Sequence, residues 1–473
     1  MMRVCGSAVL AVLILANYSS MAAQGPAGMD WARLHADSIQ WLADLIRIDT
    51  TNPPGNELAA AKYIAQVLER EGISAEVLES SKGRGIVIAR LRAGAVPDPS
   101  RALLLLAHTD VVGVDRKKWT VDPFGGVVKD GFLYGRGALD MKGPLVAYMA
   151  AFVALKRAGT PLSRDVIFLA EADEEAGGDD GIEFAIRHHW EKIAAGHAIN
   201  EGGHTLVKNG KVVYVGVQAA EKVPVNVNVI ATGTAGHASI PRPDNAIVRL
   251  SNAVAKIAAY EPPAKLQTVT RRYFEQLAPL VDVETGKWMR ALEQPDRFQR
   301  AVLRLTEASP QWGAMLRNTI SPTILEGGVR SNVIPSEARA TLNIRLLPGE
   351  LIADLLAELR KVVNDPNVRL EADPASRQQS PPSPVDGELF QTIERVAPKF
   401  FPGAAVLPLM STWATDSAQL RLRNVQAFGL IPFPLTEEEL ARMHSDDERI
   451  PLDAFRKGIE FTFRVVEEFV KTK

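Results

Sequence analysis

Two apolar runs, "RALLLLAHTD" at residues 101–110 and "RDVIFLAEADEE" at residues 164–175, decide the fold class. Each is a continuous apolar segment that ends in polar side chains, which is typical of a buried strand in a largely parallel sheet. Helical patterns precede them in "HADSIQWLADLIRI" and in "NELAAAKYIAQVLEREG", which ends at Gly72. This alternation predicts an α/β domain with a mainly parallel sheet covered by helices on both faces.

The pattern changes near Lys222. "VPVNVNVIATG" and the later "EARATLNIRLLPG" alternate apolar and polar residues, as half-exposed antiparallel strands do. We therefore predict that residues 222–373 form an inserted α+β lid. The α/β domain would consist of residues 30–221 and, after a Pro- and Ser-rich linker, the rest of residues 374–473.

An additional helical section, residues 266–319, lies within the predicted lid. Its segment "KWMRALEQPDRFQRAVLRLTEASPQWGAML" is amphipathic with helical spacing. The simplest interpretation is that the section packs on its own domain.

Composition indicates which class of partner the protein binds, and the N-terminal segment indicates its cellular location. The net charge is −2 and no long Lys/Arg block occurs, so a large nucleic-acid footprint is excluded and a small molecule or peptide is favoured. Arg3, the apolar "VCGSAVLAVLILA" and the small-residue "SSMAAQG" predict a signal peptide at residues 1–23. We expect export to the periplasm or secretion, with no membrane span in the mature chain; an uncleaved anchor is the alternative.

Side chains suited to metals follow the apolar runs. Imidazoles and carboxylates without a thiolate suit zinc or a harder divalent ion. A single zinc needs about three protein ligands, and the candidates exceed that number. A pair of metals bridged by a carboxylate and water is the economical interpretation, and it leaves one carboxylate as a general base. The candidates are His108, Asp110, Asp140, Asp173, Glu174, Glu175, Glu201 and His444.

The acidic run after residue 170 has two other interpretations. An EF-hand calcium loop starting at Asp173 would have its glycine at Gly178, but Gly177 and Phe184 occupy positions that require oxygen ligands. The calcium interpretation therefore fails. For Asp179 and Asp180 we favour simple exposure to solvent, because charge runs are commonly solvated.

The assembled motifs resemble one known family. They are, in order, "HTDVV", "DPFGG", "DGFLYGRGALDMKG", "DEEAGG", "GTAGHASIP", "RSNVIPSEARATLNIRLLPG", "TDS" and "MHSDDE". The chain is similar to the metallopeptidases and amidohydrolases that include aminoacylase, carboxypeptidase G, acetylornithine deacetylase and succinyl-diaminopimelate desuccinylase. Motif spacing is most similar to the subgroup of carboxypeptidase S and the secreted hydrolases of fatty N-acyl amino acids. Residues 266–319 form a longer section than the compact members have, and two further interpretations follow from the resemblance. The section would form a wall for a bulky apolar acyl group, or it would change a dimer contact.

The resemblance implies a dizinc centre, in which cobalt or manganese are possible substitutes. Asp140 would bridge the two ions. His108 and Glu201 would complete one site, and Glu175 and His444 the other.

Two further roles near the metals come from the same resemblance. Asp110 would orient His108, as metal-ligating histidines generally require. Glu174 would be the general base that takes a proton from the attacking water and passes it to the leaving amine.

The resemblance also assigns four residues to the substrate. His237 would stabilise the oxyanion, commonly from the partner subunit, which implies a possible homodimer through the lid. Asn332 and Arg345 would hold the substrate, with Arg345 gripping a free carboxylate; a surface arginine is the alternative for Arg345. Thr415 would also contact the substrate, although the family's Gly-rich turn is absent before it.

Together these features predict an exported dizinc hydrolase. It would cleave an amide bond next to a free carboxylate, in N-acyl amino acids or small peptides. A deacetylase or desuccinylase of a biosynthetic amino-acid intermediate is one alternative. A zinc-dependent binding protein without catalysis is another.

Overall fold

The computed structural model describes residues 29–94 and 96–472. The predicted signal peptide, residues 1–23, lies outside the described residues and stays a prediction. No helix within the described part of the chain is long and apolar enough to cross a membrane.

The chain first builds most of a large sheet and its covering helices. These elements are α1 (Trp31–Arg47), α2 (Glu57–Arg70), β1 (Ala75–Ser81), β2 (Arg84–Leu91), β3 (Leu103–His108), β4 (Val127–Lys129), β5 (Phe132–Tyr134), α3 (Lys142–Ala158), β6 (Val166–Glu171), α4 (Ile182–His188), α5 (Trp190–Ile193), β7 (His197–Asn200), β8 (His204–Lys208) and β9 (Lys211–Glu221).

A second sheet follows, interrupted by the helical section. The elements of this region are β10 (Val223–Thr232), β11 (Gly236–His237), α6 (Ala246–Ala259), α7 (Thr268–Leu277), α8 (Val283–Ala291), α9 (Phe298–Ala308), α10 (Pro310–Met315), β12 (Thr319–Gly327), β13 (Val333–Ile334), β14 (Glu337–Leu346), α11 (Ile352–Val363) and β15 (Val368–Ala372). Strands β11 and β13 pair with each other in a separate small sheet.

The chain then returns to the large sheet. The last elements are α12 (Glu388–Phe400), β16 (Ala405–Ser411), α13 (Ser417–Leu422), β17 (Gln426–Gly429), β18 (Pro434–Leu435), α14 (Glu437–Leu440), β19 (Arg449–Pro451) and α15 (Leu452–Val470).

Within the described residues the large sheet has ten strands, with β6, β3, β7 and β17 adjacent and parallel at its centre. Leu103, Leu105 and Ala107 of β3 face one hydrophobic core, and Leu104 and Leu106 face a second core on the other side. Because both faces are covered, the strand must be apolar at every position. The predicted fold class is confirmed.

The lid sheet, in the order β12-β14-β10-β15, is antiparallel and has one buried face. Val225 and Val227 of β10 belong to its core, together with Leu342 and Ile344 of β14. The residues between them lie on the opposite face, because side chains alternate along a strand. The alternating sequence pattern is therefore explained by one-sided burial.

The helical section packs on the large-sheet domain. Phe274, Leu292 and Leu305 belong to the hydrophobic core of that domain, not to the core of the lid sheet. Packing on the lid, the first of the three interpretations, is wrong for these side chains. The amphipathic helices bury their apolar stripe on the larger apolar surface, which removes more of it from water. The domain boundaries themselves stay a prediction.

Candidate metal centre and active-site cleft

Six predicted residues meet at one edge of the large sheet. Parallel strands β3, β6 and β7 end there together, and the chain segments that follow them carry polar side chains, as open α/β sheets commonly arrange at their ligand sites. A turn before α3 and the segment after α14 approach the same edge. The six residues are His108, Asp140, Glu174, Glu175, Glu201 and His444.

Five of these side chains form two groups that share Asp140. In the first group, Nε2 of His108 lies 3.2 Å from Oδ1 of Asp140 and 3.7 Å from Oε2 of Glu201. In the second group, Nε2 of His444 lies 3.0 Å from Oδ2 of Asp140 and 3.0 Å from Oε1 of Glu175. Asp140 therefore presents one oxygen to each group, as a carboxylate bridging two cations would.

The donor set fits a pair of divalent cations. It offers nitrogen and oxygen atoms only, with three carboxylates and two imidazoles. Oε1 of Glu201 is buried and has no hydrogen-bond partner. A buried carboxylate oxygen without a partner is costly, and a cation at this position would satisfy it.

The imidazoles and carboxylates of the two groups shift one another's pKa values. Hydrogen bonds to Asp140 and Glu175 raise the pKa of His444 to about 10. Burial favours a higher pKa for Asp140, but hydrogen bonds from His108 and His444 outweigh it and hold that pKa below its usual value. Burial raises the pKa of Glu201 to about 7 against the opposing effect of His108. Metal binding would release the imidazole protons, because a ligating histidine is neutral.

Asp110 holds both His108 and the segment after β6. The Nδ1 atom of His108 lies 3.0 Å from the carbonyl oxygen of Asp110 and 3.4 Å from its Oδ1, so the Nε2 atom is left free for a metal. The same carboxylate accepts hydrogen bonds from the backbone N–H groups of Glu174 (3.2 Å) and Glu175 (3.1 Å) and from Nδ2 of Asn52 (2.8 Å). The sequence analysis predicted the contact with His108, but it did not predict the contacts with the backbone of Glu174 and Glu175 or with Asn52.

The acidic run divides by environment. Glu174 and Glu175 line the cleft, whereas Asp173 is buried and accepts a 2.7 Å hydrogen bond from Arg84. The side chain of Asp179 is 87% exposed, which matches the predicted contact with solvent.

Glu448, which sequence reasoning did not single out, joins the two halves of the centre. Its Oε1 accepts hydrogen bonds from the backbone N–H groups of Leu139 (2.7 Å) and Asp140 (3.2 Å), and its Oε2 pairs with Arg136. Arg136 in turn donates to the carbonyl oxygen of His444 (3.3 Å). The signal was present, since Arg136 and Glu448 lie inside the motifs that contain Asp140 and His444.

We expect Glu448→Ala to lower the free energy of unfolding by about 3–5 kcal/mol, because it leaves Arg136 buried without its partner. Urea unfolding measures this change. The matched control is Glu438→Ala, which breaks a pair between Arg442 and a glutamate that is 79% exposed, and should cost less than about 1 kcal/mol. Equal losses in the two variants would contradict the proposed contribution of Glu448.

The four predicted substrate residues lie in different environments. Arg345 lines the cleft. Thr415 is buried, and its N–H and Oγ1 groups donate to Glu221 at 3.0 and 2.8 Å, so its side chain is engaged inside the protein. His237 and Asn332 are exposed on the lid and do not line the cleft of their own chain.

The cleft has a volume of about 1130 Å³ and three kinds of lining. The carboxylates and imidazoles of the metal centre occupy one part. Two arginines, Arg345 and the unpredicted Arg377, also contribute to it. The remainder carries many apolar side chains, and the helical section supplies Tyr273, Leu277, Leu280, Val281, Trp312 and Met315 to it. The same section also contributes the polar Asp282, Ser309 and Gln311.

The fold and the two ligand groups define a metal-dependent α/β enzyme. The chain belongs to peptidase family M20/M25/M40, whose family model matches residues 104–468. It is therefore a metallohydrolase that acts on amide bonds, and the family resemblance found in the sequence is confirmed.

Relatives and solved structures agree with this assignment. The human N-fatty-acyl-amino acid synthase/hydrolase PM20D1 is 28% identical over 383 residues, which cover 78% of this chain and 74% of that protein. A probable carboxypeptidase S-like 2 of Dictyostelium discoideum is also 28% identical, with 78% and 72% covered. The fold is similar to that of the M20 metallo-carboxypeptidase Sso-CP2 from Sulfolobus solfataricus, with a TM-score of 0.67, 19% identity, and 92% and 99% of the two chains covered.

Proposed function

We propose that this protein hydrolyses the amide bond of N-acyl amino acids that carry a bulky apolar acyl group and a free carboxylate. One observation carries the proposal: a single cleft combines the metal centre, the arginines and a large apolar wall. Such a substrate has a scissile amide between an apolar chain and an anionic carboxylate. The amide would lie at the metal centre, the carboxylate at the arginines and the apolar chain at the apolar wall. The name of the human relative, an N-fatty-acyl-amino acid synthase/hydrolase, agrees with this substrate class.

Glu174 has the position of a general base. It lines the cleft beside both ligand groups but belongs to neither, and the hydrogen bond from its backbone N–H to Asp110 holds it there. A bound pair of divalent ions, for which zinc is our proposal, would polarise the carbonyl group and acidify water. Glu174 takes a proton from the attacking water, whose oxygen adds to the carbonyl carbon. The carbon–nitrogen bond then breaks, and Glu174 delivers the proton to the amine nitrogen.

An acyl series tests the function. We expect kcat/KM to rise at least ~10²-fold from N-acetyl- to N-dodecanoyl-leucine, because each buried CH₂ contributes up to about 0.8 kcal/mol. Leu280→Asn should reduce this gain at least ~10-fold, since Leu280 lines the cleft. The control is Leu303→Asn, from the same helical section but 55% exposed and outside the cleft. A flat acyl profile, or equal effects of the two variants, would argue against the acyl wall.

We also propose that two copies pair through their lids. Among the described residues no strand pairs with the outer edge of β12, and this strand carries exposed Ile324 and Leu325. Val333 of β13 is also an exposed apolar side chain of the lid. His237 is exposed nearby on β11, which pairs with β13. Because His237 does not line its own cleft, its proposed role as oxyanion donor requires the cleft of a partner subunit.

Mixing two inactive variants tests this pairing. His237→Ala should lower kcat about 10²–10³-fold by removing the oxyanion donor. An equal mixture with Glu174→Gln should recover roughly a quarter of wild-type activity. About half of the dimers in the mixture are then heterodimers, and one of the two sites in each heterodimer has both His237 and Glu174. No recovery after mixing, with heterodimers confirmed by native mass spectrometry, would place His237 outside the active site.

The proposal includes export, which rests on the pattern of residues 1–23. We expect N-terminal sequencing of the native protein to begin shortly after residue 23. A native N-terminus that still contains the apolar segment would contradict cleavage.

A further inference from the structure

Two guanidinium groups line the same cleft. Arg345 comes from β14 of the lid sheet, and Arg377 comes from the segment between β15 and α12. Both side chains line this cleft, and burial, followed by the positive charge of Arg377, lowers the pKa of Arg345. Two neighbouring cations in one cleft favour an anion between them.

Strand alternation directs Arg345 into the cleft. Its neighbours Ile344 and Leu346 are in the core of the lid sheet, so Arg345 lies on the opposite face. Its Nε donates to Oδ1 of Asn343 at 3.1 Å. Among residues 29–94 and 96–472, no acidic side chain forms an ion pair with Arg345. Its charge is therefore available to a ligand.

Arg377 is held at the junction of two active-site segments. Its Nη1 donates to the carbonyl oxygen of Thr415 at 3.3 Å, and its Nη2 donates to the carbonyl oxygen of Gly177 at 3.4 Å. Nη2 also lies 3.9 Å from Oδ1 of Asp416. The side chain is only 22% exposed, so these contacts restrict its position.

These contacts connect Arg377 to the catalytic segment. Gly177 lies three residues after Glu174, on the turn that also carries the ligand Glu175. An anion bound to Arg377 is thereby placed at a defined position relative to the general base. Fixed positioning of this kind lowers the entropic part of a reaction barrier.

We infer that Arg377 acts with Arg345 to bind the free carboxylate of the substrate, and that Arg377 makes the enzyme prefer an acid over its neutral amide. This inference rests on the proposed function. A planar carboxylate can accept hydrogen bonds from two guanidinium groups, whereas a carboxamide replaces one accepting oxygen with a donor that an arginine cannot satisfy.

The experiment compares N-dodecanoyl-leucine with N-dodecanoyl-leucinamide on the metal-loaded enzyme. We expect Arg377→Met to lower the acid-to-amide ratio of kcat/KM about 10- to 100-fold. Arg377→Lys should lose less, because it keeps the charge but not the planar fork. Arg101→Met, which removes an exposed arginine outside the cleft, should leave the ratio unchanged. An unchanged ratio in Arg377→Met would overturn the inference.

A binding measurement separates this inference from the proposed function. The measurement uses the Glu174→Gln variant, which should bind substrate without hydrolysing it. Calorimetry gives the Kd of the acid and the Kd of the amide for Glu174→Gln alone and for Glu174→Gln combined with Arg377→Met. If the wild type hydrolyses neither compound but the acid still binds more tightly through Arg377, the proposed function fails and the inference stands. If hydrolysis occurs and Arg377→Met leaves both ratios unchanged, the inference fails alone. Failure of both compounds to bind refutes both.

Discussion

Glu174→Gln should lower kcat about 10²–10⁴-fold while both metal ions stay bound. Glutamine keeps the shape of the side chain but cannot accept a proton from water. Neither ligand group includes Glu174, so metal affinity does not depend on its charge directly. The hydrogen bond from its backbone N–H to Asp110 persists in the variant, so the segment keeps its position.

Steady-state kinetics and elemental analysis on the same preparation check this result. The control is Asp179→Asn, which neutralises a carboxylate in the same acidic run that is 87% exposed. Its turnover should match that of the wild type. Substantial turnover in Glu174→Gln would remove Glu174 from the role of base, and loss of metal would make it a ligand.

Asp140→Ala should lose both metals and reduce activity more than 10³-fold, whereas His444→Ala should lose only one. Asp140 presents an oxygen to each ligand group, while His444 belongs to one group. Asp140→Ala therefore leaves two protein ligands in each group, fewer than the three that a catalytic zinc site needs. His444→Ala leaves two ligands in one group and all three in the other.

Metal content after dialysis, measured by elemental analysis, distinguishes these outcomes. We expect about two zinc ions per chain in the wild type, about one in His444→Ala and fewer than one in Asp140→Ala. His188→Ala is the control, because His188 is an exposed imidazole outside both groups. Equal metal content in Asp140→Ala and His444→Ala would contradict a bridging role for Asp140.

Much of the catalytic framework could be predicted from local sequence. Leu104 and Leu105 face opposite cores, so β3 had to be apolar throughout, and the first polar residue marked the end of the strand. His108 ends β3, and Glu174 follows β6. Their approach to a common edge follows from parallel pairing, which the alternation of helical patterns and apolar runs predicted.

The supporting contacts could not be predicted in the same way. Glu448 and Arg136 are 312 positions apart, and nothing in the local pattern of either residue indicates their pairing. Arg377 lies in a Pro- and Ser-rich segment without periodicity, so its placement depends on the turns that it contacts. Thr415 appeared available to substrate, but its hydrogen bonds to Glu221 engage it inside the protein.

The sequence by itself determined the two sheets, the strand ends and the residue types of a two-cation centre. Periodicity and burial are local properties, because each residue's face follows from its position in a strand or helix. Only the tertiary structure decided that the helical section packs on the large domain and supplies apolar side chains to the cleft, and that Arg377 lines the same cleft as Arg345. These features depend on distances between distant segments, which packing of the whole chain establishes.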